Sequence, residues 1–115
     1  MRKGLGRPAL RENLFGGKGE VLVWDLLGAA EIPPFAAVLA CELAPGGSVG
    51  THRQQEHPEI VVVTEGEGSA EIDGATSPIG VGTLIALPLG STLSLANGSR
   101  EAPLRYLIVK AAAVR

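Results

Sequence analysis

Both histidines of this chain lie in one short stretch, GGSVGTHRQQEHPE, over residues 46–59. His52 and His57 stand there with Gln54, Glu56 and Glu59, just ahead of the apolar run IVVV. Imidazole, amide and carboxylate crowded together suit two kinds of chemistry. One is acid–base work, with His52 or His57 as a general base oriented by Glu59. The other is metal binding by His52, His57, Glu59 and Gln54. Two imidazoles and a carboxylate suit Zn, Ni, Cu or Fe, while the neutral amide of Gln54 is a weak ligand beside them.

These side chains need strands to aim them. In SVGTHRQ (48–54), alternation with period two puts His52 and Gln54 on one face and Arg53 on the other. In EIVVVTEG (59–66), Glu59, Val61 and Val63 share a face. An antiparallel pairing of these two strands would let His52, Gln54 and Glu59 converge. His57 precedes Pro58, so its backbone is pushed toward the extended region. An extended 57–59 segment puts His57 on the side of Glu59, about 7 Å away along the chain.

The rest of the chain reads as more strands. Further candidates are EVLVWDL (20–26), FAAVLACEL (35–43), SAEID (69–73), TLIALP (83–88), STLSLA (91–96) and LRYLIVK (104–110). Asp73-Gly74 is a hairpin-turn signal. The best helix candidate is PALREN (8–13). The chain has 115 residues, 45% of them apolar, with sixteen Gly, eight Pro and only four aromatic residues: Phe15, Trp24, Phe35 and Tyr106. That composition predicts one globular all-β domain with many turns and a Val, Leu, Ile and Ala core. Trp24 and Tyr106 could serve as ligand-stacking surfaces, but in a chain so poor in aromatics a core role is favoured. Residues 1–18 hold Arg2, Lys3, Arg7, Arg11 and Lys18 and are read as a basic, solvated N-terminal arm, with the barrel domain over 19–115. The net charge of −2 argues against general nucleic-acid binding. No apolar stretch approaches the ~20 residues of a membrane span. The start lacks the apolar segment of a secretory signal, and the one cysteine, Cys41, reads as a small buried hydrophobe. The location expected is the cytoplasm.

Two spaced patterns give a more specific reading. The first runs Gly46, five residues, His52, Arg53, Gln54, four residues, Glu59, six residues, Gly66. The second runs Gly82, five residues, Pro88, Leu89, Gly90, two residues, Leu93, three residues, Asn97. Over residues 36–110 this resembles the cupins. Gln54 and Leu93 stand where histidines are usual, and Thr83 stands where an aspartate is common. The resemblance implies a small jelly-roll β-barrel, the double-stranded β-helix, with a ligand cavity at one end, and a homodimer as in many bacterial single-domain members. It also implies that a complete member holds a divalent metal with three His and one Glu. Here only His52 and Glu59 remain at matching positions. The four glycines fall at strand ends, where φ > 0 is often required, and Asn97 is expected to bond local backbone at a strand end.

Two functions follow as expectations. The first is a binding module that holds a small organic ligand between a polar wall (His52, Gln54, Glu59) and an apolar one (Val61, Val63, Leu93, Leu95). The second is an enzyme, either a metal-independent isomerase or epimerase or a weak metal-dependent oxygenase, using His52, His57 and Glu59. The cofactor expected is none, or one divalent metal (Zn, Ni, Fe, Cu or Mn) held weakly. The partners expected are the ligand and a second copy of the chain, with neither nucleic acid nor membrane.

Overall fold

A computed structural model describes residues 6–113. Ten strands follow in order: β1 (Ala9–Glu12), β2 (Glu20–Asp25), β3 (Phe35–Leu43), β4 (Ser48–Arg53), β5 (Glu59–Glu65), β6 (Glu67–Ile72), β7 (Ala75–Gly80), β8 (Leu84–Leu87), β9 (Thr92–Asn97) and β10 (Leu104–Ala111). A single 3₁₀ turn, Leu14–Gly16, is the only helical element among the described residues. The strands form an antiparallel six-stranded sheet, β1-β2-β3-β10-β5-β8, facing an antiparallel four-stranded sheet, β4-β9-β6-β7. The chain passes between the sheets as it goes, which is the jelly-roll architecture expected. No helix among the described residues is long and apolar enough to cross a membrane.

Alternation along each strand builds the core. Val61 and Val63 of β5, Leu104 and Tyr106 of β10, and Leu93 and Leu95 of β9 are buried between the sheets with Val21, Leu43 and Leu87. On the opposite side of the six-stranded sheet two rows are also apolar, beside a third that carries Glu42, Arg105 and Glu65. Register places Ala40, Leu107, Val62 and Leu84 in one outward row, and Val38, Val109, Ile60 and Ala86 in the next. Ile60 and Leu84 are exposed there.

The motif glycines carry the turns. Gly66 has φ 91°, and a Cβ there would lie 2.6 Å from the carbonyl oxygen of Pro103. Gly46, Gly82 and Gly90 also have positive φ. Asp73-Gly74 closes the β6–β7 hairpin with positive φ at both residues, as that dipeptide predicts. Asn97 reaches further than expected. Its Nδ2 faces the carbonyl oxygens of Leu43, Ala44 and Ala102 at 3.2, 3.1 and 2.9 Å, and its Oδ1 accepts from the Ser99 amide. The side chain therefore joins β9 to the end of β3 as well as to its own loop.

Three expectations need correction. PALREN is not helical: Ala9–Glu12 is an edge strand paired with β2, because a neighbouring strand supplied backbone partners that outweighed a weak helix preference. ATSPIG forms β7, which the sequence reading left unassigned. Its Pro78 is tolerated because β7 is the edge of its sheet. The boundary at residue 18 also moves. Residues 9–16, counted with the arm, are part of the barrel: β1 extends one sheet, and the Leu14–Gly16 turn packs on β4. Arg2 and Lys3 lie outside the described residues.

Candidate ligand cavity

A cavity of about 380 Å³ opens between β1 and β2 of the larger sheet and β4 and β9 of the smaller one. Its walls are layered by register. Val23, Cys41 and Tyr106 are cross-strand neighbours in one row, and Asp25, Leu39 and Ile108 form the next. Lys110 and Glu59 are direct neighbours in the row above. From the facing sheet come Val49, His52, Leu93 and Leu95. The lower rows are thus apolar except at their outer ends, where the exposed Asp25 and Arg11 stand, and Glu59 and Lys110 gather at the top.

His52 reaches the cavity through an irregularity that alternation alone does not show. Val49 pairs with Leu95 and His52 with Leu93, so β4 spends three steps where β9 spends two. This β-bulge at Gly50-Thr51 turns both Val49 and His52 inward; such bulges commonly re-aim a side chain. Gly50 has a second role. A Cβ there would run into the carbonyl oxygen of Phe15. Only glycine lets the Leu14–Gly16 turn lie on β4 and stack the Phe15 ring on His52, with centroids 4.2 Å apart and planes within 13°.

The expected pairing of the two site strands does not occur. β4 pairs with β9 and β5 with β10 and β8, so His52 and Glu59 belong to different sheets. Both reach the same cavity because the sheets face each other across it. His52, Glu59, Leu93 and Leu95 line it. Val61 and Val63 are buried in the core rather than on the cavity wall. Gln54 is buried beside His52, its Nε2 3.0 Å from His52 Nε2. With His57, Arg53, Gln55 and Glu56 it lines an outer pocket, which His52, Phe15 and Lys110 also touch. Trp24 is buried on the outward row beside Ala40, its indole N–H donating to the Gly6 carbonyl at 3.2 Å.

The most informative residue missed by sequence reading is Lys110. Its Nζ lies 3.7 Å from Oε1 of Glu59, whose side chain is only 1% exposed. Period two from Tyr106 through Ile108 would have pointed it inward, but a lysine at a strand end reads by default as solvated. Arg11, Asp25 and Phe15 carried no signal, because their placement depends on how the N-terminal segment docks.

Burial sets the electrostatics. It pushes the Glu59 carboxyl above the ordinary carboxylate value, and the Lys110 ammonium only partly offsets this. Burial, reinforced by Lys110 and opposed by the Gly50 backbone, lowers the His52 imidazole below its ordinary value, which favours the neutral ring. Burial also raises the Tyr106 phenol, with Cys41 and Glu59 nearby adding to the shift. The Gln54 amide can donate to His52 Nε2, which leaves the imidazole proton on Nδ1. That Nδ1 and both carboxylate oxygens of Glu59 are buried without a hydrogen-bond partner. Such atoms carry a cost of about 1–3 kcal/mol each unless something meets them.

A metal is poorly matched to this donor set. Among the described residues, no three of His, Cys, Asp and Glu gather into a group that could hold one. Leu93, directly across from His52, places an apolar side chain where the family pattern puts a ligand.

A two-sheet antiparallel jelly roll with a polar-topped cavity between its sheets defines a β-barrel small-ligand scaffold. The chain belongs to the cupins: the cupin domain model matches residues 39–110. It is similar to the oxalate-binding protein of Thermotoga maritima, with 34% identity over 91 residues, spanning 78% of this chain and 75% of that protein. It is also similar to the crystal structure of a predicted oxalate decarboxylase from Thermotoga maritima, with 30% identity, TM-score 0.89 and 97% of both chains covered. A Cupin 2 conserved barrel domain protein from Salinispora arenicola shares the fold at 24% identity and TM-score 0.75, over 98% of this chain and 87% of that one.

Proposed function

We propose that this cupin binds a small organic ligand in the barrel cavity, without a resident metal, as a binding or regulatory module. The observation that carries this reading is the set of buried, unpartnered polar atoms on His52 and Glu59 at the top of a cavity otherwise lined by apolar side chains. A mixed wall of this kind suits small-ligand recognition. The likeness to an oxalate-binding protein supports it. The isomerase alternative gains less support: the Gln54 amide 3.0 Å from His52 Nε2 engages the nitrogen a general base would need. Its single cysteine, Cys41, accords with a cytoplasmic protein.

The same reading includes a homodimer. The outward rows of Leu107, Val62 and Leu84, and of Val109, Ile60 and Val38, form a contiguous apolar sheet face, which a second copy would cover.

The test is thermal stabilisation of tag-free protein by a panel of small metabolites, alongside Leu95→Trp, which fills the cavity. Stabilisation of the wild type that disappears in the variant supports the reading. A ligand that stabilises both equally binds elsewhere and defeats it.

A further inference from the structure

The polar top of the cavity is specific enough to name a ligand class, and this inference rests on the cavity-binding reading above. Glu59 presents two buried acceptor oxygens without a hydrogen-bond partner, and His52 presents a buried Nδ1 that approaches only the Gly50 backbone. Lys110 presents an ammonium 3.7 Å from Glu59, an ion pair too long to be a hydrogen bond. A matching ligand head must donate to Glu59 and accept from Lys110 and His52. A simple carboxylate supplies only acceptors and would face the Glu59 carboxylate. A simple amine supplies only donors and would face Lys110.

Charge balance narrows the choice. Beside Glu59 stands Lys110 on the neighbouring strand, with Tyr106 and Cys41 two rows below; Asp25 and Arg11 line the same cavity as exposed residues of lower rows. Lys110 balances Glu59, and burial favours the neutral form of His52. An added net charge would be buried without compensation, which is costly. A head carrying both signs adds none. Its ammonium on Glu59 and its carboxylate on Lys110 would close an alternating ring of four charges. In an α-amino acid the two groups are held on one carbon, a span comparable with the Lys110–Glu59 separation.

The lower cavity decides the rest of the molecule. Below the polar row lie Ile108, Leu39, Leu93, Leu95 and Val49. A ligand without an apolar body would leave this surface uncovered. Oxalate, with two acceptor groups and no apolar body, fits neither part of the cavity.

We propose that the cavity binds a small zwitterionic α-amino acid with an apolar side chain, its ammonium on Glu59, its carboxylate on Lys110 and His52, and its side chain against Leu39, Leu95 and Ile108.

The experiment is calorimetric titration of the tag-free wild-type protein with norleucine, glycine, hexanoate, hexylamine, oxalate and 1-hexanol. Norleucine is expected to bind at least about tenfold more tightly than each of the others, since each lacks an interaction worth that factor. Lys110→Met and Glu59→Gln are each expected to weaken norleucine by about tenfold or more, with a circular dichroism spectrum confirming the fold. Should Lys110→Met fail to fold, Glu59→Gln keeps the test decisive, because glutamine retains the shape and loses the charge. Hexanoate, hexylamine or oxalate binding as tightly as norleucine overturns the zwitterion while leaving the cavity reading intact. So does norleucine affinity unchanged in a folded variant. If nothing binds, 1-hexanol included, the cavity reading itself falls.

Discussion

The ring of Phe15 lies flat on the imidazole of His52, with centroids 4.2 Å apart, although the two residues are 37 positions apart in the chain. The contact closes one side of the cavity mouth with a residue that is itself 54% exposed. Phe15 takes a left-handed backbone conformation, φ 54° and ψ 33°. The turn is clipped in place by paired backbone hydrogen bonds between Lys18 and Ser48, and by the Asn13 side chain accepting from the Gly19 amide.

Two substitutions test this arrangement. Phe15→Ala is expected to cost about 0.5–1.5 kcal/mol for the lost stack, beyond any area term, and to speed ligand exchange. Gly50→Ala should push the same turn off β4 and cost about 1–3 kcal/mol, at the upper end of ordinary point changes. Urea unfolding gives the stabilities, and stopped-flow release of a bound ligand gives the exchange rate. Unchanged stability in Gly50→Ala would show that the turn does not depend on the close approach.

Glu59 makes stability depend on pH in a definite direction. Its carboxyl titrates higher in the fold than in the unfolded chain, chiefly because it is buried. As pH rises, the unfolded chain therefore releases this proton first. The stability linked to this group is complete below the ordinary value of 4.5 and is lost as pH rises through the raised one. Glu59→Gln removes that loss. Relative to wild type, the variant is expected to gain stability around neutral pH and to show no gain near the ordinary carboxylate value. Thermal melts of both proteins across that range check the sign; a gain confined to acid pH would contradict it.

The family's metal pattern can be restored by substitution. The wild type is expected to bind Ni²⁺ or Zn²⁺ weakly or not at all, and Leu93→His with Gln54→His to create a tight site with His52 and Glu59. Leu93 is fully buried and directly opposite His52. The added imidazole should cost about 1–3 kcal/mol of stability before metal is added. Calorimetric titration of both proteins decides it. Tight one-to-one binding by the wild type, abolished by His57→Ala, would show that His57 reaches a metal after all.

The outward apolar rows of the six-stranded sheet lead to the last expectation. Val109→Glu, at the centre of that face, should leave the proposed dimer monomeric without loss of the barrel. Light scattering at micromolar concentration checks it, and a monomeric wild type would remove the basis for the proposed interface.

What the sequence by itself determined is the set of strands and the turns between them. Period-two alternation and the Gly, Pro and Asn spacing act over a few residues, so FAAVLACEL, EIVVVTEG and LRYLIVK announce β3, β5 and β10. The motif glycines take the positive φ that their strand-end positions predict. Side-chain type likewise put His52, Gln54, Glu59, Val61, Val63, Leu93 and Leu95 forward as cavity residues; His52, Glu59, Leu93 and Leu95 line it, while Gln54, Val61 and Val63 do not.

Only the tertiary structure decided how those pieces meet. Which strand lies beside which depends on burial summed over both sheets, and no local pattern records that sum. That His52 and Glu59 share a cavity was legible, but its cause was not: facing sheets bring both to it, and the bulge at Gly50-Thr51 turns His52 inward. The N-terminal segment shows the same limit. A short, charged piece such as PALREN has no strong preference of its own, so the edge of β2 decides that it becomes a strand and brings Arg11 and Phe15 to the mouth. Lys110 follows from the same physics. A lysine at the end of a strand is solvated unless a buried carboxylate stands across from it, and the register of β10 on β5 put Glu59 there.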